Sequence, residues 1–87
     1  MTAVLGPYRF DDVTYDEVND VLYLGAGGVG EETDDIAVFM TDPDGGEVVG
    51  AILVGPRRAL DEAGRLRVTL PDGTLADAAP ALAAACS

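Results

Sequence analysis

The chain has 87 residues, 48% of them hydrophobic and 24% charged, which fits one small globular domain and excludes a two-domain enzyme. Its charge is unbalanced, because 16 Asp and Glu residues stand against 5 basic residues and give a net charge of -11. Such a surface repels phosphate, so we expect neither a nucleic acid nor a membrane as a direct partner.

The residue types that catalysis and metal binding use most are scarce. The sequence has no His, which excludes a Ser-His-Asp or Cys-His arrangement within one chain. Its one cysteine, Cys86, cannot form an internal disulfide or a Cys-rich zinc site, and a free thiol fits a reducing compartment. The N-terminal residues do not form a signal-peptide pattern, and no apolar stretch approaches about 20 residues. We therefore expect a cytoplasmic protein without a cofactor.

The first half of the chain predicts antiparallel strands. Residues 13–15 alternate apolar and polar side chains, and the polar turn 16–20 leads into a second strand over 21–24. A glycine-rich connection, 25–30, separates this hairpin from a third strand predicted over 36–41.

The clearest turn covers residues 42–46, because an Asp-Gly pair between two apolar runs supplies the positive φ that hairpin turns need. The fourth strand, 47–54, carries a run that is apolar on both faces. That pattern predicts a central position with cover on each face of the sheet.

The second half predicts one short helix, a strand and a weak tail. Residues 56–64 begin with Pro56 and end in a glycine, as helices often do. Residues 66–70 alternate as a half-buried strand does, and a Pro-Asp-Gly turn follows. Residues 75–85 are mostly alanine and predict either a weak helix or a frayed tail, with Pro80 beginning a helical turn.

These elements predict an α+β fold, a small antiparallel β-meander of four to five strands with one short helix and, if the tail does not fray, a C-terminal helix. One domain spans 1–87, with a loosely ordered segment at 1–10, a core at 13–70 and a tail or helix at 75–87. The fourth strand needs more cover than a short helix and an alanine tail provide, so we expect a homodimer through sheet faces or edges.

Two short motifs have both a functional and a structural interpretation. Residues 25–30 match the dinucleotide fingerprint G-x-G-x-x-G, but carboxylates and a strand follow where that motif requires a helix, which favours a plain connection. Asp42, Asp44 and Glu47 resemble a truncated calcium loop without its third regularly spaced ligand, which favours a hairpin turn. A divalent-metal site there stays the alternative.

Acidic residues form two clusters. The first contains Asp11, Asp12, Asp16, Glu17 and Asp20, and the second contains Glu31, Glu32, Asp34 and Asp35. Two close carboxylates can perform acid-base chemistry if burial raises one pKa, so a small hydrolytic or metal-binding site is the rival hypothesis. A solvated acidic rim is the interpretation that we favour.

The order of several short motifs is similar to that of a known family. Tyr15-Asp16, then Asp20-Val21-Leu22-Tyr23, an acidic stretch, an Asp-x-Asp-Gly turn and Glu47-Val48-Val49-Gly50 resemble the small bacterial domain of unknown function numbered 2283, over residues 13–54. The resemblance implies an α+β domain on an antiparallel sheet and no reaction. Some members resemble the acidic partner of a small basic toxin-like protein.

We expect a non-enzymatic, acidic interaction module that binds a small basic protein in the manner of an antitoxin. A charge of -11 exceeds the magnitude of about 2 to 8 that solubility requires of a small domain. Clustered at one end of the sheet, the carboxylates would steer a basic partner. The residues predicted to contact that partner are Asp16, Glu17, Asp20, Glu31, Glu32, Asp34 and Asp35.

Overall fold

The chain is organised around a five-stranded sheet with two small hairpins and two helices beside it. The computed structural model describes residues 2–27, 29–32 and 36–86. Within them the strands are β1 (Ala3–Leu5), β2 (Tyr8–Phe10), β3 (Val13–Asp16), β4 (Val21–Gly25), β5 (Val29–Glu32), β6 (Ala37–Thr41), β7 (Val48–Val54), β8 (Arg67–Thr69) and β9 (Leu75–Asp77). The helices are α1 (Pro56–Ala63) and α2 (Ala79–Cys86).

The large sheet has the strand order β3-β4-β7-β6-β5, and every neighbouring pair is antiparallel. The expected α+β fold with an antiparallel sheet is therefore confirmed. β5, β6 and β7 follow one another as a meander, and β7 also pairs with β4 of the β3-β4 hairpin. β7 lies in the middle of the sheet, as its apolar sequence predicts.

One face of this sheet carries the hydrophobic core. Leu22, Leu24, Ala51, Leu53 and Phe39 are nearly inaccessible to solvent there. The hairpins β1-β2 and β8-β9 and both helices supply the opposing layer. That layer contributes Ala3, Leu5, Phe10, Leu66, Val68, Leu70, Ala76, Ala78, Ala81 and Leu82.

The two ends of the chain differ from the sequence-based expectation. Residues 1–10 were expected to be loosely ordered, yet β1 and β2 pair as a hairpin and place Leu5 in the core. Residues 75–77 form β9 against β8, and the tail after them is the helix α2 with Pro80 in its first turn. The core thus extends beyond 13–70, because alternating residues of β1 and the small alanines of α2 pack closely against the sheet.

The helix α1 has the boundaries that its Pro and Gly residues indicate. Pro56 is its first residue and is buried, and Gly64 follows its end with a φ of +72°. The Gly64 amide donates to the Leu60 carbonyl at 2.8 Å, which closes the last turn. Gly55, just before the helix, has a φ of +71° and has no side chain with which to cap it.

Candidate functional site

The end of β3 and the turn into β4 hold three residues of the first acidic cluster, Asp16, Glu17 and Asp20, and the carboxylates of Asp16 and Asp20 accept hydrogen bonds from backbone amides. One oxygen of Asp16 accepts hydrogen bonds from the amides of Val18 and Asn19, at 3.0 and 3.2 Å. The other oxygen accepts one from the Asn19 side chain at 2.8 Å. Asp16 therefore fixes the turn, while Glu17 next to it is exposed.

Asp20 caps the N-terminus of the helix α1, although it lies 37 positions before Arg57 in the sequence. Its carboxylate accepts hydrogen bonds from the amides of Arg57 and Arg58, both at 3.1 Å, and its carbonyl accepts one from the Gly55 amide at 2.7 Å. These are the donors that a helix N-terminus leaves without partners, and Gly55 cannot serve them itself. Asp20 has a φ of +54°, a conformation that Asp tolerates better than most residues.

Tyr15 completes this cluster. Its hydroxyl donates to Asp20 at 2.7 Å, and the Arg57 guanidinium lies 5.9 Å from the centre of its ring. Desolvation raises the pKa of Asp20, but the hydrogen bonds from Tyr15, Arg58 and Arg57 outweigh it, so the pKa lies below its usual value. The same bond to Asp20, together with desolvation, raises the pKa of Tyr15 to about 12. Both groups therefore keep their neutral-pH charge states.

Other acidic residues also build turns. Asp42, Asp72 and Asp77 each accept a hydrogen bond from the amide two residues later, at 2.9, 3.0 and 3.0 Å. With Asp16, four Asp residues make this local bond. Part of the negative charge of the chain thus follows from how its turns are made.

The strand register brings Asp16, Glu17 and Asp20 to the same end of the sheet as Glu32, whereas Asp11 and Asp12 lie at the opposite end, where the Asp12 carbonyl accepts a hydrogen bond from the Gly25 amide. Val21, which follows the first cluster, pairs with Val54, and Ala37, which follows the second, pairs with Leu53. Glu31 and Glu32 lie in β5, and Asp34 and Asp35 lie outside the described residues. The helix α1 also begins at this end, where Arg57 and Arg58 offset part of the negative charge; Arg58 pairs with Glu62 at 3.2 Å.

The calcium alternative gains no support from the loop between β6 and β7. One carboxylate oxygen of Asp42 accepts a hydrogen bond from the Asp44 amide. The side chains of Asp44 and Glu47 are exposed. Within residues 2–27, 29–32 and 36–86, no three acidic or thiol side chains are placed to hold a metal ion together. The same part of the chain contains no helix long and apolar enough to cross a membrane.

The glycine-rich connection crosses the end of the central strands. A side chain at Gly50 would collide with the carbonyl oxygens of Ala26 and Leu24, and one at Gly25 would collide with the Val49 carbonyl and with Phe10. Gly25 also has a φ of +66°. These glycines allow the chain to leave β4 and pass β7 toward β5 at the sheet edge. The connection is shorter than the predicted 25–30, because β4 extends to Gly25 and β5 begins at Val29 within this motif. A strand stands where a dinucleotide fingerprint requires a helix.

The second face of the sheet is apolar and has no layer packed on it among the described residues. By strand register this face presents Val21, Tyr23, Val38, Met40, Ile52 and Val54, which we call the open face. None of these side chains belongs to the core cluster or packs against it. Tyr23 is 43% exposed and Val54 is 55% exposed. Apolar surface gathered in this way is typical of an interaction site.

The described surface has cavities on both sides of the sheet's glycine-rich end. One, of about 560 Å³, lies near the loop between β6 and β7 and is lined by Tyr8, Val48, Pro71 and neighbours. Another, of about 110 Å³, lies on the open face beside the glycine connection, where Tyr23, Met40 and Ile52 line it.

Comparison with protein-family models, curated proteins and solved structures finds no match to this chain. The resemblance to the domain of unknown function numbered 2283 therefore stays a prediction.

Sequence reasoning indicated two of the six residues of the open face and missed the other four. The double-sided apolar run of β7 indicated uncovered surface, and that run includes Ile52 and Val54. Val21, Tyr23, Val38 and Met40 could not be predicted as part of this face, because strand order decides which side chains become neighbours. The available signal was that β4 and β6, like β7, are apolar at nearly every position.

Proposed function

We propose that this protein is a non-catalytic interaction module that binds a small basic protein through its open face. The observation that carries the proposal is an apolar sheet face whose six side chains lie outside the core cluster of the described residues. An antiparallel sheet that meets water on one face normally presents polar residues there. Apolar residues at six neighbouring positions are better explained by a partner that covers them.

The charge of the chain favours a basic partner over other proteins. Asp16 pairs with Val21 at one edge of the open face, and its hydrogen bonds from Asn19 lower its pKa, so it is ionised at neutral pH. Glu32 occupies the register position beside Val38 on the opposite edge strand. The net charge of -11 steers a cationic surface toward the face, and the apolar contacts then hold it.

A homodimer through the same face is the second candidate, and the double-sided apolar run of β7 favours it. Salt separates the two candidates. Two copies that each carry -11 repel one another, so salt should strengthen a dimer. Salt should weaken the binding of a basic partner, because it screens an attraction.

A pull-down from the source cells at low and moderate salt tests the proposal. We expect a basic protein to be recovered at low salt and largely lost at moderate salt. Recovery should also fall with Tyr23→Ser and Val54→Thr, which remove apolar surface from the open face. Leu75→Thr is the matched control, because Leu75 is 63% exposed but lies in β9, outside the open face.

Charge variants address the end of the sheet that holds Asp16, Glu17 and Asp20. Glu17→Gln removes one exposed charge there, and Asp44→Asn removes one at the opposite end. We expect the first to reduce recovery more than the second. Capture that is insensitive to salt and to the open-face variants would contradict the proposal.

A further inference from the structure

The smaller cavity lies within the open face. Its volume is about 110 Å³, and its lining includes Tyr23, Met40 and Ile52. Tyr23 pairs with Ile52 across β4 and β7, while Met40 pairs with Gly50. The cavity therefore sits over the middle strands of the sheet, where a partner covering this face must pass.

The glycine connection forms one wall of this cavity. Gly25, Ala26 and Gly27 line it, and the Ala26 carbonyl lies directly over Gly50. The Ala26 amide donates to the Val49 carbonyl at 2.9 Å, which holds the connection against β7. Any side chain at Gly50 would push this wall away. The cavity thus results from the close crossing of two backbone segments.

We propose that this cavity receives one aliphatic side chain of the partner, of the size of Leu or Met, presented from a basic surface. The proposal rests on the proposed function and names the anchor through which the partner binds. Interfaces commonly depend on one or a few side chains that fill a pocket near the centre, surrounded by contacts that exclude water.

The size of the cavity limits the inserted group to one side chain of moderate size. An apolar cavity of about 150 Å³ binds one benzene molecule, and this one, at about 110 Å³, has room for one branched aliphatic chain. Its side-chain lining consists of one ring, one thioether and aliphatic groups, and Met adapts its shape to an entering group. The acidic character of the chain then favours positive charge around the inserted group.

Methyl NMR can observe this cavity directly. The chain contains two Met and two Ile residues, so labelling the ε methyl of Met and the δ1 methyl of Ile gives four signals. Met40 and Ile52 line the cavity, whereas Ile36 packs against the core and Met1 lies at the N-terminus. Two signals therefore report the cavity, and the other two serve as internal controls.

Three probes share the Leu-like branched chain and differ in charge. They are 3-methylbutylammonium, 3-methylbutanol and 3-methylbutanoate. We expect saturable shifts of the Met40 and Ile52 methyl signals at millimolar probe, with the ammonium strongest and the carboxylate about two- to fourfold weaker. Tyr23→Ala, which removes a wall, should abolish saturation, and Tyr23→Phe, which keeps the ring, should retain it.

Several outcomes would overturn the anchor. They are the absence of saturable shifts, equal shifts of all four methyl groups, the strongest binding for the carboxylate, and Met40 shifts that follow protein concentration without probe. The last would mean that a second copy fills the cavity. The pull-down is independent of these results, so the anchor can fail while the proposed function stands. If the pull-down recovers no basic protein, the proposed function fails and the anchor fails with it.

Discussion

The two faces of the five-stranded sheet are both apolar, yet only one of them is covered. Neighbouring residues of β7 show the contrast: Leu53 is fully buried beneath the helices and hairpins, and Val54 is 55% exposed. The side chains of the covered face form the hydrophobic core and stabilise the fold. The open face contains side chains of the same kind that contribute little to it, and this difference assigns stability to one face and binding to the other.

Truncation on the two faces should produce the largest difference. Leu53→Ala removes a buried side chain and leaves a cavity, so we expect a loss of about 2–5 kcal/mol in the free energy of unfolding. Val54→Ala should change it by about 0.5 kcal/mol or less, because that side chain is half in water already. Chemical denaturation of both variants measures this. Similar losses on both faces would show that the open face belongs to the structural core.

The glycines beneath the open face provide the next comparison. Gly50→Ala places a methyl group against two carbonyl oxygens, so we expect a loss of about 1–3 kcal/mol. Gly27→Ala is the control, since nothing lies within 4 Å of the added carbon. Thermal unfolding of the two variants should separate them clearly. Equal stability would mean that the connection crosses elsewhere.

The acidic turn should contribute a smaller amount. Asp20→Asn must turn an amide NH₂ toward one of three hydrogen-bond donors, so we expect a loss of about 1 kcal/mol. Glu17→Gln makes the same charge change at an exposed neighbour and should be close to neutral. If both variants have the same free energy of unfolding, the capping contact does not stabilise the fold.

Acid should weaken the fold through Asp16 and Asp20. Their folded-state pKa values lie below the ordinary 3.8, so their stabilisation is present above that pH and is lost as the pH falls through the folded values. The unfolding temperature should therefore fall on the acid side of pH 3.8.

The raised pKa of Tyr15 predicts how stability changes at alkaline pH. Its pKa is raised to about 12 from 10.0, so its stabilisation is complete below pH 10 and is lost as the pH rises toward 12. Tyr15→Phe removes the hydroxyl and should remove that alkaline loss. An unchanged profile in this variant would contradict the hydrogen bond to Asp20.

Local patterns in the sequence predicted most of the sheet and the first helix, and they could not predict what the ends of the chain do. Pro56 and Gly64 mark α1, and the alternation in β3 and β4 marks the first hairpin. The strand β5 has a weak strand pattern of its own, so its sequence does not predict it. Its backbone is held as a strand by pairing with β6. The capping of α1 by Asp20 joins residues 37 and 38 positions apart, which no local pattern reveals.

Photo-crosslinking from the open face tests the assignment of binding to that face most directly. A photoreactive phenylalanine replaces Tyr23 in one variant and Leu75 in another, since both positions are exposed and only the first lies on the open face. Irradiation in a lysate of the source cells should link a basic protein to position 23 and not to position 75, with the yield falling as salt is added before irradiation. Equal linkage at both positions, or linkage of position 23 only to another copy of this chain, would contradict the account.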